Sequence, residues 1–431
     1  MPAKKAKPKV CDTGAVFTEE QAVEEAKRCI QCPLPMCEQG CPAHRPIKEV
    51  NRLIAERKFD SALALVMGTN PFPSITSRVC AQETQCEGHC ILAKAGKAIK
   101  IGKLEEFLSE YGEHKLFDIT KIGKRAAVVG SGPAGLSCAY ELALHGLDVQ
   151  VFEKSEKLGG IVGQSIPDFR LAGEIAEGEI KNLKKMGVKF ETGRNVTSIK
   201  ALLTEFDFVF LGIGAGTDMC LGTQGEETFG VAGAMSFLQR AKWGKLKLGK
   251  GESVVVIGGG NSAIDAVRTA KKQGANALLA YRRTEKEMPA RAVEIEHAKK
   301  EGVKFKFLLS PNEFLAEGKQ GKAKLRAIVF DVMQLGKPDE SGRQRPESTG
   351  KTREIKAQHA VVACGQSPAV QVMNDAGIDI DEKGLIKVNG KFRTSTNRVY
   401  AAGDCITGPK TAIEAIRDGR AAGKAILEEA G

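Results

Sequence analysis

The sequence is poor in aromatic residues: Phe, Trp and Tyr make up 5% of the 431 residues, and there is a single tryptophan. The net charge of +11 comes from lysines and arginines scattered along the chain, without an accompanying stacking or groove-reading motif. Charge of this kind does not indicate nucleic-acid binding. We favour attraction to an acidic protein or an anionic ligand. The lysine-rich first ten residues are expected to form a flexible tail, with docking to a partner as the alternative.

Long apolar runs are also absent. The chain has no stretch of about 18 apolar residues that would span a membrane, and the N-terminal "MPAKKAKPKV" lacks the apolar segment of a signal peptide. We therefore expect a cytoplasmic protein. Disulfides are rare in that compartment because thiols there are kept reduced. The 12 cysteines, seven of which fall between Cys29 and Cys90, need another explanation.

These seven cysteines have the spacing of metal ligands. The spacings are C-x2-C-x4-C-x3-C-P and C-x5-C-x3-C, formed by Cys29, Cys32, Cys37, Cys41, Cys80, Cys86 and Cys90. Thiolates spaced in this way within loops are typical of iron-sulfur clusters. A zinc site is the alternative, but zinc sites usually contain two C-x2-C pairs and this chain has one. Seven cysteines complete two four-ligand sites only if a further ligand exists, such as a carboxylate.

A glycine-rich turn of the form G-x-G-x-x-G begins at Gly130, between an apolar strand and a helix. In this context Gly130, Gly132 and Gly135 let the backbone approach a pyrophosphate at the helix N-terminus. Glu153 ends the next strand, where an acid can bond a ribose hydroxyl. Glycines needed only for helix packing would not require an acid at that offset. The sequence therefore predicts a dinucleotide site.

A second turn, with Gly258, Gly260 and Ala263 in the pattern G-x-G-x-x-A, is followed by different chemistry. Where a ribose-binding acid is expected, the chain instead has Arg282 and Arg283. Guanidinium groups suit a 2′-phosphate, so this site favours NADPH, with NADH as an alternative. The competing interpretation is that both arginines are solvated surface residues.

Two nucleotide sites beside iron-sulfur clusters imply a cofactor that accepts a hydride and releases single electrons, which is a property of flavins. The stretch "VYAAGDC" at residues 399–405 would place Asp404 near the flavin ribityl chain and pyrophosphate. A helix starting near Thr411 would direct its N-terminal dipole at the flavin ring. Cys138, Cys220, Cys364 and Cys405 have no near cysteine neighbours in sequence, so no thiol redox pair is predicted.

These patterns predict an α/β protein, in which an N-terminal helical iron-sulfur domain precedes two Rossmann-like nucleotide-binding domains. Thr18 is the predicted N-cap of the first helix. We expect a helical domain with two 4Fe-4S clusters at residues 1–118 and an NAD(P)H-binding domain at residues 226–352. The FAD-binding domain is expected in two parts, at residues 119–225 and 353–431.

Taken together, the motifs resemble those of the small (beta) subunit of bacterial glutamate synthase and its relatives. These relatives include the large subunit of NADH-dependent ferredoxin:NADP oxidoreductase and the N-terminal part of dihydropyrimidine dehydrogenase. The resemblance runs from about Cys29 to Gly423. It is carried by "RCIQCPLPMCEQGCP", "RVCAQETQCEGHC", "IGKLEEF", "VVGSGPAGLSCAYEL", "IPDFRL", "VVVIGGGNSAIDAVRTA", "YRRTEKEMPA" and "VYAAGDC".

The resemblance implies two 4Fe-4S clusters, FAD in the first nucleotide fold and NADP(H) or NAD(H) in the second. It also implies the missing ligand, Glu105 in "IGKLEEF". One cluster would be held by Cys29, Cys32, Cys37 and Cys90, and the other by Cys41, Cys80, Cys86 and Glu105. Glutamate synthase small subunits often have a cysteine where Thr76 stands, and this departure favours the oxidoreductase branch.

The same resemblance extends the two nucleotide-binding sets. The residues expected to bind FAD are Gly130, Gly132, Pro133, Ala134, Gly135, Glu153, Gly160, Arg170, Gly403, Asp404 and Thr411. Those expected to bind the nicotinamide nucleotide are Gly258, Gly260, Asn261, Ser262, Ala263, Arg282 and Arg283. The family's usual aromatic residue before the "IPDFRL" stretch is replaced by Gln164 and Ser165.

We therefore expect an NAD(P)H-dependent flavin iron-sulfur oxidoreductase that works as a subunit of a hetero-oligomer. A hydride would pass from NAD(P)H to FAD, and single electrons would pass through the clusters to a ferredoxin-type or 2-oxoacid dehydrogenase partner, with no catalytic side chain required. One alternative is the small subunit of NADPH-dependent glutamate synthase. Another is a redox-inactive scaffold subunit, against which the intact motifs argue.

Overall fold

The computed structural model describes residues 11–111, 119–319, 323–338, 342–367 and 375–431. The lysine-rich tail at residues 1–10 and the end of the predicted helical domain at residues 112–118 lie outside the described residues. The chain forms two compact units. One comprises the described parts of Met1–Gln164, Asp168–Gly216 and Pro368–Gly431, and the other comprises Ser165–Pro167 and Thr217–Ser367.

The first unit begins with a helical module. Its helices are α1 (Glu19–Lys27), α2 (Met36–Gln39), α3 (Ile47–Ala55), α4 (Phe59–Met67), α5 (Pro73–Val79) and α6 (Ile101–Tyr111), with a short 3-10 helix at Ile91–Ala95. Thr18 caps α1 through a capping box with Gln21, which confirms the predicted start. Apolar residues of α1, α3, α4 and α6 meet in one core, among them Ile54, Leu63 and Phe107. Six of the seven cysteines lie between these helices, and Cys37 lies in α2.

The first nucleotide-binding fold is a parallel five-stranded sheet in the order β15-β4-β1-β2-β3. Its strands are β1 (Arg125–Val129), β2 (Asp148–Glu153), β3 (Lys189–Thr192), β4 (Phe208–Leu211) and β15 (Val399–Ala401). The helices of this part are α7 (Pro133–Leu144), α8 (Gly160–Gln164), α9 (Gly173–Lys185), α10 (Ile199–Glu205), α14 (Asp404–Thr407) and α15 (Ala412–Ala430). Strand β15 returns to this sheet from the end of the chain and pairs with β4.

The second unit contains another parallel sheet, in the order β6-β13-β7-β8-β9. These strands are β6 (Val231–Gly233), β7 (Ser253–Ile257), β8 (Asn276–Tyr281), β9 (Lys304–Phe307) and β13 (His359–Val362). Its helices are α11 (Ala234–Lys242), α12 (Asn261–Lys272) and α13 (Ala292–Lys300), with a 3-10 turn at Glu285–Glu287. The short strands β5 (Thr217–Asp218) and β14 (Gln366–Ser367) pair with each other.

An antiparallel sheet, not predicted from the sequence, lies in the same unit. It consists of β10 (Leu309–Glu317), β11 (Lys324–Pro338) and β12 (Gln344–Lys356). Phe314, Ile328 and Phe330 from this sheet pack against Val255 and Ile257 of β7. The sheet therefore covers one face of the second nucleotide-binding fold.

The division between the two folds differs from the expected boundary after residue 352. Strand β13 pairs with β7 along Val254–Ile257 and so lies in the second sheet, and the second unit continues to Ser367. A parallel strand needs a neighbour with the same direction, and β7 provides one for β13. Among the described residues, we found no helix with both the length and the apolar character required to cross a bilayer.

Candidate cofactor sites

Four cysteines of the helical module surround one cavity. Cys29, Cys32, Cys37 and Cys90 line this cavity, together with apolar residues such as Leu34 and Ile91. Burial raises the pKa of the Cys37 thiol to about 12, and the negative charge of Glu38 acts in the same direction. The Cys37 thiol would therefore become a thiolate only when a metal centre supplies the compensating positive charge.

A second group contains the other three cysteines and a carboxylate. Burial raises the pKa of the Cys80 thiol well above its ordinary value, with Glu105 as the next cause. Burial also raises the pKa of Cys86 to about 12. The charges of Cys41, Cys86 and Glu105 all act on Cys80, so the structure brings these four predicted ligands together.

Glu105 is buried, with 3% of its surface exposed, and three side chains hold its carboxylate. Asn70 Nδ2 and Thr76 Oγ1 donate to Oε1 at 2.8 and 2.7 Å. Arg45 pairs with Oε2. A carboxylate offers about four lone-pair sites, so one acceptor site remains for a metal.

The distances between cysteine sulfurs bear on the choice between a zinc site and an iron-sulfur cluster. Within the described part of the chain, no three cysteine sulfurs lie within 4.8 Å of one another. A tetrahedral zinc ion with Zn–S bonds of about 2.3 Å would hold its sulfurs about 3.8 Å apart. The described cysteines therefore do not form a preassembled zinc site, and four thiols around one cavity suit a cubane cluster, whose ligands surround a larger body.

The first glycine turn lies where β1 meets α7. Gly130 has φ of +99°, and a Cβ there would lie 2.4 Å from the carbonyl oxygen of Gly212. A Cβ at Gly135 would lie 1.9 Å from the oxygen of Gly130, so helix and strand approach closely. At Gly132 the space for a Cβ is open, which leaves the α7 N-terminus accessible to a phosphate. A Cβ at Gly160 would lie 2.6 Å from Gly132 Cα, so α8 begins beside this turn.

Glu153 ends β2 with its carboxylate fixed by the turn. Oε2 accepts hydrogen bonds from Ser131 N at 3.1 Å and Ser131 Oγ at 2.6 Å, and Oε1 accepts one from Ser155 N at 2.9 Å. Ser131 Oγ accepts in turn from Gly159 N at 3.0 Å. The acid is therefore oriented before a nucleotide binds and keeps acceptor capacity for a ribose hydroxyl.

The C-terminal motif adjoins the same turn. A Cβ at Gly403 would lie 2.8 Å from Ala134 Cβ, in the first turn of α7. The neighbouring Asp404 is largely buried, and burial raises its pKa to about 6. Thr411 is the N-cap of α15 and forms a capping box with Glu414. The structure thus gathers nine predicted residues near the carboxyl end of β1: Gly130, Gly132, Pro133, Ala134, Gly135, Glu153, Gly160, Gly403 and Asp404.

Arg170 lies in the loop between α8 and α9 and is buried. It lies in the segment that begins at Asp168, where the chain re-enters the first unit. Its assignment to the flavin stays a prediction.

The second glycine turn joins β7 to α12. Gly258 has φ of +143°, and a Cβ there would lie 2.5 Å from the oxygen of Ala363. Asn261 Oδ1 accepts a hydrogen bond from Arg291 N at 3.0 Å, beside the first turn of α12. The space for a Cβ is open at Gly260, as it is at the corresponding glycine of the first turn. Ser262 and Ala263 continue the first turn of the helix.

The two arginines after β8 face different surroundings. Arg282 is exposed. Arg283 is buried, and its Nε donates to the carbonyl oxygen of Gln344 at 2.7 Å. Arg282 is therefore the better candidate for a 2′-phosphate ligand, and Arg283 ties the end of β8 to β12.

Helix α15 connects the flavin-type fold to the helical module. Arg417 Nη1 donates to the oxygen of Pro42 at 3.3 Å, directly after Cys41. Arg420 Nη1 donates to the oxygen of Gly68 at 2.6 Å, at the end of α4. The guanidinium of Arg420 is also paired with buried Glu141 of α7 at 2.6 Å. The cysteine group that includes Cys41 therefore lies on the side of the module that contacts α15.

The sequence did not reveal several residues that shape these sites. Arg45 and Asn70 carry no motif, and their contacts with Glu105 span 60 and 35 positions. Ser131 lies inside the first glycine turn, where a hydroxyl between two glycines and an acid 22 positions later would have been a usable signal.

Two family models match this chain. Residues 124–419 match the pyridine nucleotide-disulphide oxidoreductase family, and residues 7–116 match dihydropyrimidine dehydrogenase domain II, a 4Fe-4S cluster domain. The small chain of NADPH glutamate synthase from Halomonas elongata is 34% identical over 96% of this chain and 91% of its own. The beta subunit of NADP(+)-dependent formate dehydrogenase from Moorella thermoacetica is 31% identical over 90% of this chain and 59% of its own.

Among solved structures, FprA from Mycobacterium tuberculosis in complex with NADPH matches with a TM-score of 0.60. The match covers 71% of this chain and 84% of FprA at 20% sequence identity, so it supports the fold alone.

Proposed function

Because the chain belongs to the glutamate synthase small-chain family, we propose that it is the subunit that carries electrons between NAD(P)H and a partner protein. Its two matched domains make it an NAD(P)H-dependent oxidoreductase with FAD and 4Fe-4S clusters. The observation that carries the proposal is the division of the seven cysteines and Glu105 into two groups of four, within the compact unit that also holds the first dinucleotide turn.

FAD, when bound, supplies hydride acceptance from the nicotinamide, and the clusters supply single-electron transfer. The chain itself binds and orients these groups. The open backbone at Gly132 admits the pyrophosphate to the α7 N-terminus, and Glu153 is held ready for the ribose. In the second fold, the turn at Gly258 and the exposed Arg282 would hold the nicotinamide nucleotide, with NADPH preferred.

The surface around the first cysteine group supports a protein partner. Ile30, Leu34, Met36 and Ile91 line the cavity of Cys29 and its companions and are 59%, 74%, 45% and 52% exposed. Large apolar side chains gathered at one exposed site are typical of protein interaction surfaces. Electrons would leave the chain here, through the cluster nearest this surface.

We propose a ferredoxin-type or 2-oxoacid dehydrogenase-associated electron-transfer partner in the cytoplasm. Thr76 supports this choice, because its hydroxyl orients Glu105 where glutamate synthase small subunits often have a cysteine. A glutamate synthase large chain is the second candidate, favoured by 34% identity over almost the entire length of a glutamate synthase small chain.

Anaerobic purification tests the proposal. We expect one FAD and about eight iron and eight sulfide per chain, since each cubane contributes four of each. The flavin absorbance should bleach on addition of NADPH, and faster than with NADH. A colourless protein without sulfide, or a flavin that NADPH does not bleach, would contradict it. Mass spectrometry of a gentle pull-down then separates the two partner candidates.

A further inference from the structure

Arg45 is a buried cation at the second cysteine group that none of the predicted ligand sets includes. It is 6% exposed and lies in the loop between Cys41 and α3. Its guanidinium pairs with Glu105 Oε2, and both side chains are almost completely enclosed, at 7% and 3%. A buried arginine is stable only with compensating negative charge, so this position requires an anionic neighbour.

The surroundings of Arg45 are the four predicted ligands of one cluster. The guanidinium hydrogen-bonds the Cys41 side chain and interacts electrostatically with Glu105, Cys41 and Cys86. It also acts on Cys80. Arg45 Nε has no hydrogen-bond partner within the protein. An unsatisfied buried N–H beside cysteine ligands is suited to a cluster sulfide or a thiolate sulfur.

We propose that Arg45 is a positioning residue for the second cluster: it orients Glu105 for iron ligation and raises the reduction potential of that cluster. The proposal rests on the proposed function, since it requires that the clusters are present. A cluster held by three thiolates and a carboxylate is anionic and gains one further negative charge on reduction. A fixed positive charge at the ligands stabilises the reduced state more than the oxidised state.

The first cysteine group provides an internal comparison. Its lining contains no arginine; the charged side chain there is Lys48. Lys48 is only partly buried, and its Nζ donates to the Cys32 carbonyl oxygen at 3.3 Å. The effect of Arg45 should therefore fall on one cluster and leave the potential of the other nearly unchanged.

The test compares Arg45→Gln and Arg45→Lys in the anaerobically purified full chain. Iron and sulfide are counted, and the two clusters are titrated by EPR against mediator potential. Arg45→Gln should shift the reduction equilibrium of one cluster at least tenfold toward the oxidised state, about 59 mV for one electron. Arg45→Lys keeps the charge and should shift it less. The control is Arg52→Gln on α3, which removes an exposed positive charge that solvent screens.

Each outcome decides the matter. Full iron with unchanged potentials in Arg45→Gln would overturn the proposal, as would an equal shift in both variants. Loss of about half the iron in Arg45→Gln, with retention in Arg45→Lys, would support the positioning role. Loss in both variants would assign the effect to packing and overturn it. A wild-type chain without eight irons would instead contradict the proposed function, so the two failures are distinguishable.

Discussion

Burial controls the protonation of Asp404, the acid predicted to lie near the flavin. Its pKa is raised to about 6 by burial, against about 3.9 for an exposed aspartate. As pH falls through about 6, the folded chain binds a proton that the unfolded chain does not bind until near pH 4. The contribution of Asp404 to stability therefore rises as pH falls, by up to about 3 kcal/mol between pH 7 and pH 4.

Asp404→Asn should remove this dependence, because the amide does not titrate. We expect the free energy of unfolding of the wild type, relative to the variant, to increase between about pH 7.5 and about pH 5.5. Urea unfolding followed by circular dichroism measures it. Asp379→Asn, at an exposed aspartate of the same unit, is the control. A wild-type advantage that grew with rising pH would show that the acid is stabilised in its ionised form.

The residues that could be identified from the sequence are those whose site is formed by segments close together in the chain. A glycine turn, its capping residues and the next strand are adjacent in the chain, so Gly130, Gly132 and Glu153 were identifiable as a unit. Arg45 was not identifiable, because nothing in the sequence near Cys41 indicates which buried acid this basic residue will pair with. Its contact with Glu105 exists only once α6 packs against the loops of the module.

At the scale of elements, the close approach of α15 to α7 decides how the two halves of the first fold combine. A Cβ at Gly419 would lie 2.2 Å from the Ala134 oxygen and 2.4 Å from Ser137 Oγ. A methyl group there must push apart the two helices beside the predicted FAD site. Position 419 therefore accepts only glycine unless the two helices rearrange.

Gly419→Ala should destabilise the chain by about 1–3 kcal/mol and weaken FAD retention, since overpacking outweighs the gain in helix propensity. Gly178→Ala is the matched control, because Gly178 lies inside α9 and a Cβ there meets nothing within 4 Å. It should stabilise by about 0.5–1 kcal/mol. Thermal unfolding and flavin-release temperature measure both. Equal stability of the two variants would remove the role assigned to the crossing.

The antiparallel sheet of β10, β11 and β12 escaped sequence interpretation for an element-scale reason. Strand β12 is exposed along nearly its whole length and reads "QRPESTGKTREIK", so it shows no apolar alternation. Strand β11 has a buried face only because Ile328 and Phe330 meet β7, which lies about 70 positions earlier. Periodicity identifies a strand when one face is apolar, and here that signal was confined to half of a hairpin.

At the scale of the whole molecule, the two cysteine groups occupy unlike positions in the first unit. The group with Cys41 lies on the side that contacts α15, through Arg417 and the oxygen of Pro42. The N-terminus of α15, at Thr411, belongs to the predicted FAD set. The group with Cys90 lies instead beneath the exposed apolar residues. This arrangement predicts that electrons reach the Cys41 group first and leave through the Cys90 group.

Single substitutions should therefore have unequal effects. Cys41→Ala should leave NADPH bleaching of the flavin intact but prevent rapid reduction of the remaining cluster. Cys90→Ala should leave the other cluster reducible by NADPH and abolish transfer to a protein acceptor. Rapid-freeze EPR after NADPH addition, on variants that each retain about four irons per chain, measures the difference. Rapid reduction of the Cys90 cluster in Cys41→Ala would contradict the predicted order. Electrons would then reach the apolar surface without passing through the Cys41 group beside α15.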